Sequence, residues 1–454
     1  MQALFTSLHG GPAIRQRLLD LVEEASALAA SHRVDLHVMT FAFTDDVVAD
    51  ALLRAAERSA SMTIRLLADW SQRIRVRGQQ VGRLAGLHVP NLRVRYSMDQ
   101  PYVWDAEAGH MRWSYHASRG LLHHKTLGVL VDGRPWKLAC GSFNWTATAA
   151  KSYENLLVVT ADVPDSLLLM SRVELEFEAL WSDGQATLSP QEAHLHYQAI
   201  LGTYRQNPAI SPSQVVGLAK GAGEPLRALE HECEKLEHSD VTVGPECGTA
   251  AKGAEVAIAF SSRPPGGQRN RAGCAAANQG QRMTLFTPAG RLRLVPVTIT
   301  NLALDTIFQT RSGETLQLAM FGLSPRVPEY GALLDAARRG VCLQILLNRL
   351  SGRDTAVRLQ SLLDEQDLPI EVRTAGRMMH QKYMVRRETD MVLTGTANMS
   401  TDASTRHWEH RIRISGHAEL AAQYSADFQE IWSRVPPDGT SSKTDREDRL
   451  LEER

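Results

Sequence analysis

Apolar positions fall along this chain in short blocks of two kinds. Nearly continuous apolar runs at residues 36–43 (LHVMTFAF) and 62–69 (MTIRLLAD) read as strands buried on both faces. Between them, ALLRAAERSA from Ala51 spaces its apolar side chains along one face of a helix. The same order returns as LQLAMFGL at 316–323, ALLDAARRG from Ala332 and VCLQILLN from Val341. Leu4-Phe5-Thr6-Ser7 opens the first series and Leu285-Phe286-Thr287-Pro288 echoes it at the start of the second. Each series closes on a helix that repeats Phe-x-x-hydrophobic-Trp, Phe177 to Trp181 and Phe428 to Trp432, at a spacing that puts both aromatics in the core.

Alternating strands and helices, given twice, predict two copies of one α/β unit built as a layered sandwich around a mixed sheet, at residues 1–185 and 284–436. The intervening stretch, 186–283, has Gly or Pro at 18 of 98 positions, against 32 Gly and 19 Pro in all 454. It reads as a loop-rich linker or insert with helices near 191–205 and 225–238 and a mobile stretch from Arg263. It is also the part expected to gate the site, contact a partner or mediate a homodimer. Residues 437–454 are charged with almost no apolar face and read as a frayed or disordered tail.

Composition changes this picture little. With 50 Lys+Arg against 51 Asp+Glu the net charge is -1, which excludes a polycation that coats nucleic acid or membrane indiscriminately. No apolar run reaches the roughly 18 to 20 residues that cross a bilayer. The first ten residues, MQALFTSLHG, lack a basic and an apolar signal region, so a cytoplasmic location is expected. Five cysteines without a CxxC pair predict no disulfide framework. His231, Cys233, His238 and Cys247 match no closed zinc spacing, and neither a metal nor a cofactor is expected.

The chemistry lies in a motif that also occurs twice. His123 and Lys125 stand at i, i+2 on a predicted strand, so they share a face while His124 points to the other side. The strand Leu138 onward ends at Gly141, and Ser142 and Asn144 follow within reach of the same spot. An imidazole, an ammonium, a hydroxyl and an amide suit a phosphoryl group: lysine neutralises oxygens, serine and asparagine donate, and histidine attacks phosphorus or moves a proton. The second copy offers His380, Lys382, Thr396 and Asn398. A glutamate follows each set, Glu154 and Glu409, suited to contact substrate or to hold a catalytic His or Lys. Cleaving a phosphodiester needs one group to attack and another to protonate the leaving alcohol, so two such sets predict one shared site.

HxK followed by GSxN, given twice, resembles the phospholipase D (HKD) superfamily of phosphodiesterases, over both repeats. The resemblance implies two pseudo-symmetric phospholipase D-like α/β/α sandwich repeats with mixed sheets and an intervening insert. GSFNWT at 141–146, followed by Ser152-Tyr153-Glu154-Asn155, is most similar to the nuclease branch. That implies a metal-independent nuclease working through a phosphohistidine, with DNA or RNA as substrate. The family aspartate usually follows the lysine by four or five residues; here Asp132 follows Lys125 by seven and Asp390 follows Lys382 by eight.

Seven arginines, Arg65, Arg73, Arg75, Arg77, Arg83, Arg93 and Arg95, share a stretch with one acid, Asp69. They read either as a solvated face or as a surface that tracks phosphates, with Arg73, Arg75 and Arg77 the candidate contacts. Trp104, Trp113 and Tyr115 precede the first catalytic strand and suit base stacking or the packing of a lid loop. Two other readings stand beside the nuclease: a phospholipase D or phosphatidyltransferase acting on phospholipid, and a non-catalytic scaffold that binds nucleic acid or phospholipid.

Overall fold

The computed structural model describes residues 1–73, 80–97, 102–113, 120–184, 186–209, 241–242, 255–261, 276–278, 281–287 and 292–436. In chain order its strands are β1 (Gln2–Phe5), β2 (Val34–Thr40), β3 (Met62–Ala68), β4 (Leu92–Ser97), β5 (Tyr102–Asp105), β6 (His110–Trp113), β7 (Lys125–Val131), β8 (Arg134–Gly141), β9 (Asn155–Thr160) and β10 (Thr187–Leu188). They continue as β11 (Val241–Thr242), β12 (Glu255–Ser261), β13 (Arg282–Phe286), β14 (Leu292–Pro296), β15 (Thr315–Met320), β16 (Cys342–Asn348), β17 (Ile370–Ala375), β18 (Lys382–Arg386), β19 (Met391–Gly395) and β20 (Glu409–Ser415).

Two mixed sheets carry the molecule, in the orders β1-β9-β8-β7-β2-β3-β4-β10 and β12-β20-β19-β18-β15-β16-β17. Strand for strand they match, except that the first carries the additional two-residue β10 at its edge. In each, three parallel strands (β2, β3, β4; β15, β16, β17) adjoin an antiparallel meander that returns to the edge. All seven residues of β2 are buried, as expected of a strand covered on both faces. Helices Gly11–Leu28 and Asp46–Arg58 cover the outer face of the first sheet, and Ile299–Phe308 and Pro328–Arg338 that of the second. Asp45 starts one of them by accepting the Val47 and Val48 N–H groups. The inner faces meet across Pro164–Ser182 and Ala418–Arg434 in one shared core that joins Phe5, Leu157 and Phe177 to Tyr383, Tyr424 and Phe428. Phe177, Phe428 and Trp432 are core residues as expected, and Trp181 packs at its margin.

One expected correspondence is corrected. Leu285 and Phe286 lie in β13, which pairs with β14 in a small separate sheet. The counterpart of β1 is β12, inside the stretch read as insert, and it pairs along seven residues with β20 as β1 pairs with β9. An edge strand is identified by its partner rather than by its own pattern, and Leu285 and Phe286 pair with β14 instead of the large sheet.

The helix expected near 191–205 is Pro190–Gln206, closed at its start by a capping box between Ser189 and Glu192. The helix expected at 225–238, most of the stretch from Arg263 and the tail 437–454 lie outside the described residues. Cys140 and Cys342 are free thiols, and the other three cysteines lie outside the described residues.

Candidate active site

Both His-x-Lys segments enter the seam between the two sheets, and main-chain hydrogen bonds tie each to the opposite repeat. His123 N donates to Trp408 O at 2.9 Å, and Trp408 N donates to Leu121 O at 2.8 Å. In the other half Tyr153 N donates to Met378 O at 2.8 Å and His380 N donates to Tyr153 O at 3.0 Å. Each segment is also fixed from the neighbouring parallel strand: Leu122 N donates to Asp69 Oδ2 at 2.8 Å and Met379 N to Asn348 Oδ1 at 3.2 Å. The crossing places the two imidazoles face to edge, with ring centroids 6.2 Å apart.

Each of the two imidazoles is held by the glutamate of the other repeat. His123 Nδ1 lies 2.9 Å from Glu409 Oε2, and His380 Nδ1 lies 2.8 and 3.0 Å from the two oxygens of Glu154. A carboxylate that accepts the Nδ1 proton leaves the Nε2 lone pair free on both rings. Of the two roles expected for Glu154 and Glu409, contacting substrate or holding a catalytic His or Lys, the geometry fits the second: each orients a histidine.

The lysines follow the same symmetry. Lys125 Nζ donates to His123 O at 2.6 Å and Lys382 Nζ to His380 O. Each ammonium lies over a phenylalanine, Phe41 at 5.2 Å and Phe321 at 5.3 Å, and those rings also stand edge-on to His123 and His380. Phe41 and Phe321 were expected only as strand residues; their matched positions in LHVMTFAF and LQLAMFGL were the available signal.

Among the described residues the Asn144 Oδ1 is buried and without a hydrogen-bond partner, while Asn398 Oδ1 accepts the Gly322 N–H at 3.2 Å. Ser142 and Thr396, expected to bind substrate, are instead fully buried. Their hydroxyls accept from Asn155 N and His410 N, both at 3.0 Å, which fixes β9 and β20 directly after the glutamates. Gly141 and Gly395 precede them because a Cβ there would lie 2.4 Å from Asn155 O and 2.3 Å from His410 O.

Electrostatics differ between the halves. Burial, then the charges of Lys125 and Lys382, hold His123 well below the ordinary histidine range. Burial also lowers His380, but the Glu154 carboxylate opposes it. Burial brings Lys125 down to about 7 and Lys382 to about 8, and raises the Glu409 carboxyl. Asp69 stands near Lys125 where the second half has neutral Asn348.

The remaining sequence candidates are placed elsewhere. Asp132 sits in the left-handed turn between β7 and β8, at the far end of β7 from Lys125, and binds His32 and Arg33. Asp390 occupies the matching turn before β19. Arg65 is consumed by Glu178 and His37, Arg83 by Asp50, and Arg95 by Thr187. Arg73 lies over Trp70 and Tyr197 and contacts His194; Arg75 and Arg77 are outside the described residues. Trp104 stacks on Tyr204, and the expected role of Trp113 and Tyr115 falls outside the described side chains. Among the described residues His37, Glu174 and Glu178 are close enough to gather a cation, but Glu178 already pairs with Arg65 and Glu174 with His37. The four zinc candidates lie outside the described residues.

A family model described as the cardiolipin synthase, phospholipase D-like domain matches residues 26–181 and 304–432. No curated protein matches the chain. Among solved structures, phosphatidylserine synthase from Haemophilus influenzae Rd KW20 is 10% identical and superposes with a TM-score of 0.58, covering 100% of this chain and 92% of its own. A phospholipase D family member, Nuc from Salmonella typhimurium, is 18% identical with a TM-score of 0.29, covering 40% of this chain and 97% of its own.

Proposed function

The chain belongs to the phospholipase D superfamily, and from that premise we propose that it cleaves phosphodiesters at one site between the repeats, through a phosphohistidine and without a metal. The observation that carries this reading is the crossed pair of His–Glu contacts, which leaves two Nε2 atoms free on rings 6.2 Å apart.

His123 is the nucleophile and His380 the general acid. Both oxygens of Glu154 contact His380 Nδ1, whereas His123 meets one oxygen of Glu409, a carboxyl that burial pushes toward its neutral form. The ring with the stronger anion holds the extra proton. In the first step a bond forms from His123 Nε2 to phosphorus, the bond to the leaving oxygen breaks, and the His380 Nε2 proton passes to that oxygen. In the second, neutral His380 takes a proton from water, the hydroxide attacks phosphorus, and the bond to His123 breaks. Lys125 and Lys382 neutralise the phosphoryl oxygens in both steps, and Asn144 and Asn398 donate hydrogen bonds to them.

Nucleic acid is the proposed substrate, supported by the GSFNWT resemblance. The Trp145 of that motif is itself buried against Phe43, so it supports the fold of the motif rather than base stacking. A phosphatidyl-transfer reading is supported by Met378, exposed two residues before His380, and Leu350, 68% exposed two residues after Asn348. The full-length likeness to a phosphatidylserine synthase adds to it. Incubating the purified protein plus EDTA with single-stranded DNA, duplex DNA, RNA and phospholipid vesicles separates the readings. Nucleic-acid cleavage is expected; lipid turnover alone would overturn the substrate, and loss of all activity with EDTA would overturn the metal-free step. Acid-labile, base-stable phosphate should be trapped on the wild type and not on His123→Ala.

A further inference from the structure

The pseudo-two-fold axis that pairs His123 with His380 also pairs Trp408 with Tyr153 and Glu409 with Glu154, as the reciprocal bridges Leu122 to Trp408 and Tyr153 to Met379 show. Carried one residue to either side, it pairs His124 with Gln381, His407 with Ser152 and His410 with Asn155. At all three positions the half-site of His123 holds a histidine and the other half does not. None of the three has a part in the phosphoryl-transfer steps.

His407 is the one whose chemistry is fixed by a partner with a single possible role. Its Nδ1 lies 3.0 Å from the Leu121 N–H, which can only donate, so that nitrogen carries no proton and the neutral ring is protonated at Nε2. This is the reverse of the tautomer that Glu409 imposes on His123. The ring is buried and its centroid lies 6.3 Å from that of His123. The Trp408 N–H holds Leu121 O, so residues 407 and 408 fix both polar groups of Leu121, two residues before the nucleophile.

We propose that His407 is a positioning residue that sets His123 for attack, and that protonating it disables this half-site. The inference rests on the phosphodiesterase reading. A protonated His407 has no acceptor at Nδ1, which strands the buried Leu121 N–H, and it adds a positive charge beside His123. Glu409 and Asp402 favour that proton, while Arg406, Lys125, His123 and burial oppose it. The second candidate for an acid response is the buried pair beneath, His124 and His410, whose Nδ1 atoms are 3.0 Å apart and share one proton.

The test combines imidazole tautomers with kinetics. In 15N-histidine spectra His407 should be the Nε2–H tautomer at pH 8, and His123 and His380 the Nδ1–H tautomer; an Nδ1–H His407 overturns the proposal whether or not the protein turns over any substrate. With bis(4-nitrophenyl) phosphate as probe, His407→Ala should lower kcat about tenfold with KM little changed, the size of one lost buried hydrogen bond. His407→Asn, whose Oδ1 replaces Nδ1 as acceptor, should recover most of it and lose the acid inflection of kcat. His410→Asn, the residue of the other half, should retain that inflection. Equal rates for the Ala and Asn variants, or an inflection lost in His410→Asn and kept in His407→Asn, overturn it. His123→Ala on the same probe reports separately on the phosphodiesterase reading.

Discussion

In the proposed mechanism a histidine attacks phosphorus only with a free lone pair at the right nitrogen, and the carboxylate that would fix it comes from the opposite repeat. Replacing Glu154 or Glu409 by Gln keeps the shape and removes the anion that fixes Nδ1–H, so each change should lower kcat by about 10- to 100-fold. His123→Ala should abolish trapping of the covalent phosphate altogether. The lysines add a pH signature. Below pH 7 the empty site carries two ammonium groups, and it loses them as pH passes about 7 for Lys125 and about 8 for Lys382. Vanadate binding, followed by calorimetry, should therefore weaken between pH 7 and 9. Folding responds with the opposite sign. Unfolded lysines hold their protons to about pH 10.4, so the unfolded chain binds more protons in this window and stability conferred by these sites rises with pH. Lys125→Met should flatten that rise in urea titrations at pH 7 and 9.

At the scale of elements, the sheets are set by a few close approaches. A methyl group at Gly141 or Gly395 collides with the next strand's carbonyl, and both residues have positive φ, 153° and 145°. Gly141→Ala is expected to cost about 1–3 kcal/mol from backbone strain, read as a lower urea midpoint, and to shift Glu154 through β9. The order of strands and helices was legible in the sequence because parallel strands covered on both faces are mostly apolar, as β2 and β15 show. The His-x-Lys pairs were legible because their two members are adjacent on one strand face. The edge strand β12 was not, since it lies in a Gly- and Pro-rich stretch and is defined by β20, about 150 residues on. Nor were the glutamate partners: His123 to Glu409 spans 286 residues and His380 to Glu154 spans 226, separations at which spacing carries no information. Ser142 misled because a hydroxyl one residue past the strand is equally suited to ligand or backbone, and burial decides for backbone.

Over the whole molecule, the two repeats behave as one body at their inner faces. Asn155 Nδ2 donates to Thr394 and Tyr424 of the other repeat at 3.2 and 3.1 Å, and Ser7 contacts Asp427. The two histidines come from a single chain, so mixing inactive His123→Ala with inactive His380→Ala protein should restore no activity. Recovery on mixing would mean that repeats exchange between chains.

The crossed glutamates make the chemistry conditional on completed assembly. A chain with one repeat folded and the other still forming, as on a ribosome or after thermal damage, presents an imidazole without its anion and a lysine without its counterpart. On the proposed mechanism such a chain should be chemically silent, and a nascent or damaged copy should leave surrounding phosphodiesters intact. Turnover during refolding should accordingly begin only when the two repeats dock, behind the recovery of secondary structure in either one.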